Sequence, residues 1–409
     1  MSMMIRPRIC VRSQALLGTT AAVGLLAGQA TAINLVVDYT YDTQNFFGSG
    51  NPQGLAGGNQ ARASLEAAAD FFSVLLEDSL SSIEVPDPYF SQSFDGQVTW
   101  SWERRITSPG TGSPLSFGGP IAQDEYVIYA GGRALSGSIL GLGGPGGFSW
   151  SSNPSGGFTS QEINELNAIT DAFGDAVETR GKASGFSSWG GVVTFDSDDT
   201  NWHFDHLSEP AFGESDFFSV AIHELGHAVG FGTADEWDAL VNGGTFFGAA
   251  SFAENGNVYP ALSSDRAHWL EDTMSSVRGT GVAQETSMDP DLTIGTRKLW
   301  TDLDTAGLED IGWEIAALVV AGLAGDFDGD GFVAQGDLNL VLGNWGSPRG
   351  AWDNAEGLDT QSVDQEELNR VLTNWGSTSS PSFTGFAVPE PIGAGLALTL
   401  MGLTSLRRR

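Results

Sequence analysis

The sequence predicts an α+β protein: a mixed-sheet domain with long helices, followed by a small all-α module. Three observations predict it. Strand-like runs such as Asn34–Tyr41 are interleaved with helical-period stretches such as 61–80. One helix of the larger domain carries two histidines four residues apart, His223 and His227, with Glu224 between them. Near the C-terminus one helical phrase occurs twice, Asp337–Ser347 and Glu367–Ser377, at thirty-residue spacing. The chain of 409 residues has material for two domains, here 33–318 and 322–378. They are flanked by segment 1–32, a linker at 379–387 and a tail at 388–409.

Taken in order, Asn34–Tyr41 reads as a first strand of β-branched and aromatic residues, and a Gly/Asn/Gln-rich loop follows. Leu65, Ala68, Phe72, Leu75, Leu76 and Leu80 fall at helical spacing and predict an amphipathic helix over 61–80. Residues 97–106 and 125–135 are strand-like. Residues 137–157 are rich enough in Gly, Ser and Pro to read as loop. Thr159 and Glu162 have the spacing of a capping box and open a helix through Phe173. Residues 189–195 give another strand. Asp216 is placed to cap the two-histidine helix, and Gly230 and Gly232 to end it. A closing helix is predicted within 300–313, packed by Leu303, Leu308, Ile311 and Trp313.

The balance is strongly acidic, 51 Asp+Glu against 18 Lys+Arg, and Lys182 and Lys298 are the only lysines. Such a surface repels nucleic acid and anionic membranes, so a nucleic-acid partner is excluded. Arg6, Arg8 and Arg12, the apolar run 15–27 and the small residues Ala30–Ala32 have the order of a secretion signal. The apolar run is too short for a spanning helix. The one cysteine, Cys10, lies in this segment. The mature chain then has none, which excludes a disulfide scaffold and cysteine catalysis.

At the other end, Val388-Pro389-Glu390-Pro391 precedes an apolar stretch, 392–406, and Arg407–Arg409. A short tail anchor is one reading, marginal in length for a bilayer. The three-part order closely resembles the PEP-CTERM sorting signal of Gram-negative bacteria. That resemblance implies a membrane-held tail cleaved near Pro-Glu-Pro by an exosortase-type enzyme. The expected location is secreted: the cell envelope, the surface or the extracellular medium. Removing both ends takes away six arginines and one glutamate, leaving a more acidic mature chain.

Histidines four apart on a helix share one face, so the imidazoles of His223 and His227 can reach one metal ion. Glu224 is then placed to handle a water molecule rather than to bind metal. A hydrolytic zinc site needs three protein ligands and one open position. The five histidines are His203, His206, His223, His227 and His268.

The run from His223 through Gly230 and Phe231 resembles the metzincin metalloproteases, in which a third histidine normally follows the glycine by three residues. Here Thr233 stands there. The leishmanolysin-like subset places its third histidine after a long insertion, and His268 fits that spacing. An acidic third ligand, Asp235, Glu236 or Glu254, is the alternative.

The resemblance also implies a methionine turn beneath the metal, for which Met288 stands at the expected place. It implies a substrate extended along an edge strand, for which 191–195 is the candidate. The activity implied is that of a zinc (Zn2+) endopeptidase. Zinc makes water acidic and polarises the scissile carbonyl, while Glu224 acts as general base and then protonates the leaving amine of a polypeptide. Two other readings stand beside it: a catalytically idle surface or matrix protein on the same scaffold, and a non-proteolytic zinc hydrolase. His203 and His206 read as a surface pair beside an aromatic loop or as a second metal site.

In the C-terminal module, Asp326, Asp328, Asp330 and Asp337 occupy loop positions 1, 3, 5 and 12, with Gly331 at 6. Oxygen ligands at that spacing wrap a calcium ion (Ca2+). The repeated unit resembles a type I dockerin, which implies a cohesin-like partner; a calcium-stabilised spacer is the other reading. Leu358 and Thr360 replace two of the carboxylates in the second loop. One calcium site and one degenerate unit are expected.

Overall fold

The computed structural model describes residues 33–316, 325, 327, 333, 335–347, 363–375 and 407–408. The expected secretion signal at 1–32, Asp326, Asp328, Asp330, the segment 379–387 and all but two residues of 388–409 lie outside the described residues. No helix among the described residues is long and apolar enough to cross a membrane.

The chain is mixed α+β, built on a four-stranded sheet in the order Asn34–Asp38, Glu125–Arg133, Gly190–Asp196, Gly141–Pro145. The first three strands are parallel and the last is antiparallel. Alternation along Glu125–Arg133 explains why this strand is central. Tyr126, Ile128 and Ala130 enter one hydrophobic core, while Val127 and Tyr129 enter another on the opposite face.

The first core holds the helix Gly54–Leu75 and the two-histidine helix Phe217–Ala228. The second is closed by another sheet, in which the long strand Gln97–Thr107 pairs with Tyr89–Phe90, Pro114–Phe117 and Gly147–Ser155, and by the helix Ser160–Glu178. A smaller third core gathers Phe327, Val333, Val341, Val363 and Val371, among residues that include the helices Gln335–Gly343 and Gln365–Thr373 of the repeat.

The capping box forms as its spacing requires: the Thr159 hydroxyl accepts from Glu162 N–H, and the Glu162 carboxylate accepts from Thr159 N–H. Three expectations need correction. Residues 137–157 are not all loop but include the strands Gly141–Pro145 and Gly147–Ser155. Their glycines are demanded by close approach: a Cβ at Gly141 or Gly143 would strike Glu224, and one at Gly146 would strike the Trp189 ring. Residues 191–195 are not an edge, because Gly190–Asp196 is paired on both sides, and the outer strands of the sheet are Asn34–Asp38 and Gly141–Pro145. The first helix also starts earlier than its apolar pattern, at Gly54, because Gly58 lets it lie against the backbone of Gly48.

Arg180 is fully buried beyond the end of Ser160–Glu178, where its guanidinium donates to the carbonyls of Ser81, Ala122, Glu125 and Ser188. Burial pushes it down to about 10, so it is charged at neutral pH. Arg180→Met removes the donor shared by these four carbonyls and should cost roughly 3 kcal/mol. A urea denaturation curve of the variant against wild type measures this.

Candidate metal centre

The helix Phe217–Ala228 is fixed at both ends. At its N-terminus the Asp216 carboxylate accepts from Ser219 N–H (3.0 Å) and from the Arg297 guanidinium at 2.9 and 2.7 Å. At its C-terminus the carbonyls that no helical amide reaches find other donors. Thr233 Oγ1 donates to His227 O, Tyr126 Oη to Ala228 O and Trp313 Nε1 to Val229 O. Gly230, at φ +101, makes the turn that ends the helix. Thr233, standing where the compact motif would have a histidine, serves as a cap.

His223, His227 and His268 are brought together, their nearest nitrogens within 4.8 Å of one another. The Nε2 atoms are 3.1 Å apart for His223–His227, 3.0 Å for His227–His268 and 3.2 Å for His223–His268. These cannot be hydrogen bonds between neutral rings, because every Nδ1 proton is already used. His223 Nδ1 donates to Ser287 O (2.7 Å) and His227 Nδ1 to Phe231 O (2.8 Å). His268 Nδ1 donates to Asp265 Oδ2 (2.9 Å). Each Nε2 therefore presents a lone pair, and three lone pairs converge on one point, which a cation satisfies.

Burial, with the neighbouring rings, lowers both helix histidines, His227 to about 3 and His223 well below the usual value, so both are neutral and competent to ligate. Asp265 is held below the usual carboxylate range chiefly by its hydrogen bond with His268.

Glu224 lies outside this ligand group, against the glycine strand, where it accepts from Gly143 N–H. Burial pushes its carboxyl up, the Gly143 amide opposing. A dication nearby would oppose the rise as well. The site thus has three convergent imidazole nitrogens and one separate buried carboxyl that can exchange a proton.

Met288 is fully buried beneath the helix; a Cβ at Gly226 would fall 2.8 Å from its Sδ. Its turn does more than fill space. Ser287 O fixes His223, and Met288 O accepts from the N–H of Trp269, next to His268. One buried carboxylate, Asp304, holds the turn by accepting from Ser287 N (2.8 Å), Met288 N (3.2 Å) and Trp269 Nε1 (3.1 Å).

Gly226, Asp265 and Asp304 were not legible as site residues from the motif. Asp304 had one signal, its capping-box spacing to Thr301. Among the described residues, Asp235, Glu236 and Glu254 are not part of the ligand group. His203 Nε2 contacts Ser208 O and its Nδ1 faces Glu214, while the His206 ring stacks on Phe218, so the two hold no common site. Of the predicted calcium ligands, Asp337 is described; it is buried and accepts from Phe327 N–H.

No protein-family model, curated protein or solved structure matches the chain.

The pH dependence of the metal-free protein follows from His227. Its ring takes up a proton near 6.5 when unfolded but only near 3 when folded. Its stabilising share is complete above about pH 6.5 and is lost as pH falls toward about 3. In chelator, the urea midpoint should fall between about pH 7.5 and pH 4.5, and the slope should be shallower for His227→Gln.

Proposed function

We propose that the chain is a secreted zinc endopeptidase of metzincin type. The observation that carries this reading is the convergence of three Nε2 lone pairs beside a separate buried glutamate on the same helix. Tetrahedral ligands at the usual Zn–N distance of about 2.0–2.1 Å stand about 3.3 Å apart, close to the separations here, and three neutral imidazoles suit zinc. His223, His227 and His268 would hold the ion. When bound, zinc supplies a Lewis acid that polarises a carbonyl and makes water acidic at neutral pH.

Glu224 takes a proton from the attacking water and delivers it to the leaving nitrogen. Its environment fits the task, since burial makes the carboxyl a stronger base and Gly143 N–H fixes its orientation. No further strand follows Gly141–Pro145 in its sheet among the described residues, and this edge is where an extended polypeptide would align. Gly141 and Gly143 hold that strand against the helix, so an aligned peptide lies near Glu224. The methionine turn belongs to the same reading, with Met288 as the apolar floor.

Export by segment 1–32, surface sorting by the tail and a calcium-binding C-terminal module complete the proposal. The module is supported by Asp337, buried at the loop's twelfth position.

Three proteins test the activity: wild type, Glu224→Gln and His268→Ala, each assayed for zinc content and casein cleavage. Glu224→Gln should keep its zinc and lose about 10²–10⁴-fold in rate. His268→Ala should lose zinc and activity together. Wild type that binds zinc and cleaves no polypeptide would overturn the protease reading, and His268→Ala with full zinc would overturn the third ligand. Calcium titration should find a single site, abolished by Asp328→Ala.

A further inference from the structure

We infer that Asp265 is the positioning residue of the third ligand, fixing the tautomer of His268 and raising the affinity of the centre for its metal. The inference rests on the metal-binding reading above. It begins from an asymmetry among the three ligands. His223 and His227 are set by a helix, and their Nδ1 protons go to backbone carbonyls, Ser287 O and Phe231 O. His268 comes from an irregular segment 41 residues beyond His227, and its side chain is 17% exposed. Nothing regular aims it.

The local contacts supply the aim. The carboxylate of Asp265 is divided between two tasks. Oδ1 accepts from Ser263 Oγ (2.5 Å) and Ala267 N–H (2.9 Å), which locks the carboxylate itself. Oδ2 accepts from His268 Nδ1 at 2.9 Å. The loop closes on itself through Ser263 N–H to His268 O (3.0 Å), and Arg266 takes a left-handed conformation at φ +68 to allow it. On the far side Trp269 is tied to Met288 O and Asp304. The backbone at 268–269 is thereby placed, but the ring could still rotate or carry its proton on Nε2. Only the hydrogen bond to Asp265 holds the proton on Nδ1 and leaves the Nε2 lone pair facing His223 and His227.

A carboxylate does this differently from a carbonyl. It polarises the Nδ1–H bond more strongly, making Nε2 the better donor to a cation. It also adds a negative charge beside a centre whose three ligands are neutral, offsetting part of the dication's charge. The least rigid ligand thus has the strongest orienting partner.

Two measurements test this on the full chain. Zinc affinity is read by competition with a chromogenic chelator for wild type, Asp265→Ala, Asp265→Asn and Ser263→Ala. Removing an orienting partner of this kind typically weakens metal binding by about 10–100-fold, the loss expected for Asp265→Ala. Asp265→Asn, which keeps an acceptor without the charge, should be weakened less. Ser263→Ala should stay within a few-fold of wild type. Nitrogen-15 spectra of the metal-free protein read the tautomers directly. In Asp265→Ala the His268 signals should move from the Nδ1–H form toward Nε2–H, with those of His223 and His227 unchanged.

The inference is overturned if Asp265→Ala binds zinc as wild type does. It is overturned equally if the tautomer of His268 is unaltered while Ser263→Ala weakens zinc as much as Asp265→Ala, since Asp265 then only shapes its loop. Wild type that binds no zinc sinks the metal reading instead, and the tautomer measurement still decides whether Asp265 orients His268.

Discussion

Three unprotonated imidazole nitrogens held 3.0–3.2 Å apart repel one another, and much of the surrounding structure resists that repulsion. Each ring is anchored through its far nitrogen to a partner that is itself anchored. Phe231 O is fixed by the glycine turn that ends the helix. Ser287 O belongs to a turn whose amides are bound by the buried Asp304 carboxylate. Asp265 is tied by Ser263 and Ala267. A metal ion converts the repulsion into attraction, so the site is preorganised at the expense of the metal-free fold.

Asp304 shows how the closing helix takes part in the site. Burial raises its carboxyl, yet it accepts from the amides of Ser287, Met288 and Thr301, the Thr301 hydroxyl and the Trp269 indole. That is enough donors to keep a buried carboxylate satisfied. The same group therefore caps a helix, holds the turn that aims His223 and anchors the residue after His268. Arg297 and Lys298 extend the network, Arg297 to the helix cap Asp216 and Lys298 to Asp289 beside the turn. Burial lifts Asp289 to about 6, opposed by the Lys298 ammonium.

The α+β architecture was legible because its signals are local. A strand-like run marked Glu125–Arg133, a capping box marked the helix at Ser160, and helical spacing put His223 and His227 on one helix. What escaped was set by contacts distant in sequence. Gly141 and Gly143 looked like loop residues because their lack of side chains is a response to Glu224, some eighty residues away. The edge was misassigned for the same reason: Val193 and Phe195 form a strand readable as such, but pairing on both sides cannot be seen from one strand alone. The place of His268 was readable from the scarcity of histidines. Asp265, half exposed and three residues before it, has no pattern to announce it.

The charge balance gains a sharper meaning from where the cations sit. Both lysine side chains are largely enclosed: Lys182 pairs with Asp78 and lies over the Trp313 ring, and Lys298 bonds Asp289 and Glu285. Arg180 is enclosed by carbonyls, and Arg297 is bound to Asp216. Much of the small supply of positive charge is thus spent inside, tying segments distant in the chain. The surface left behind is dominated by carboxylates. Its field draws divalent cations and positively charged polypeptides toward the molecule, an attraction that salt weakens. Internal ties made of cations therefore leave an exterior that favours the approach of any cation the three imidazoles could hold.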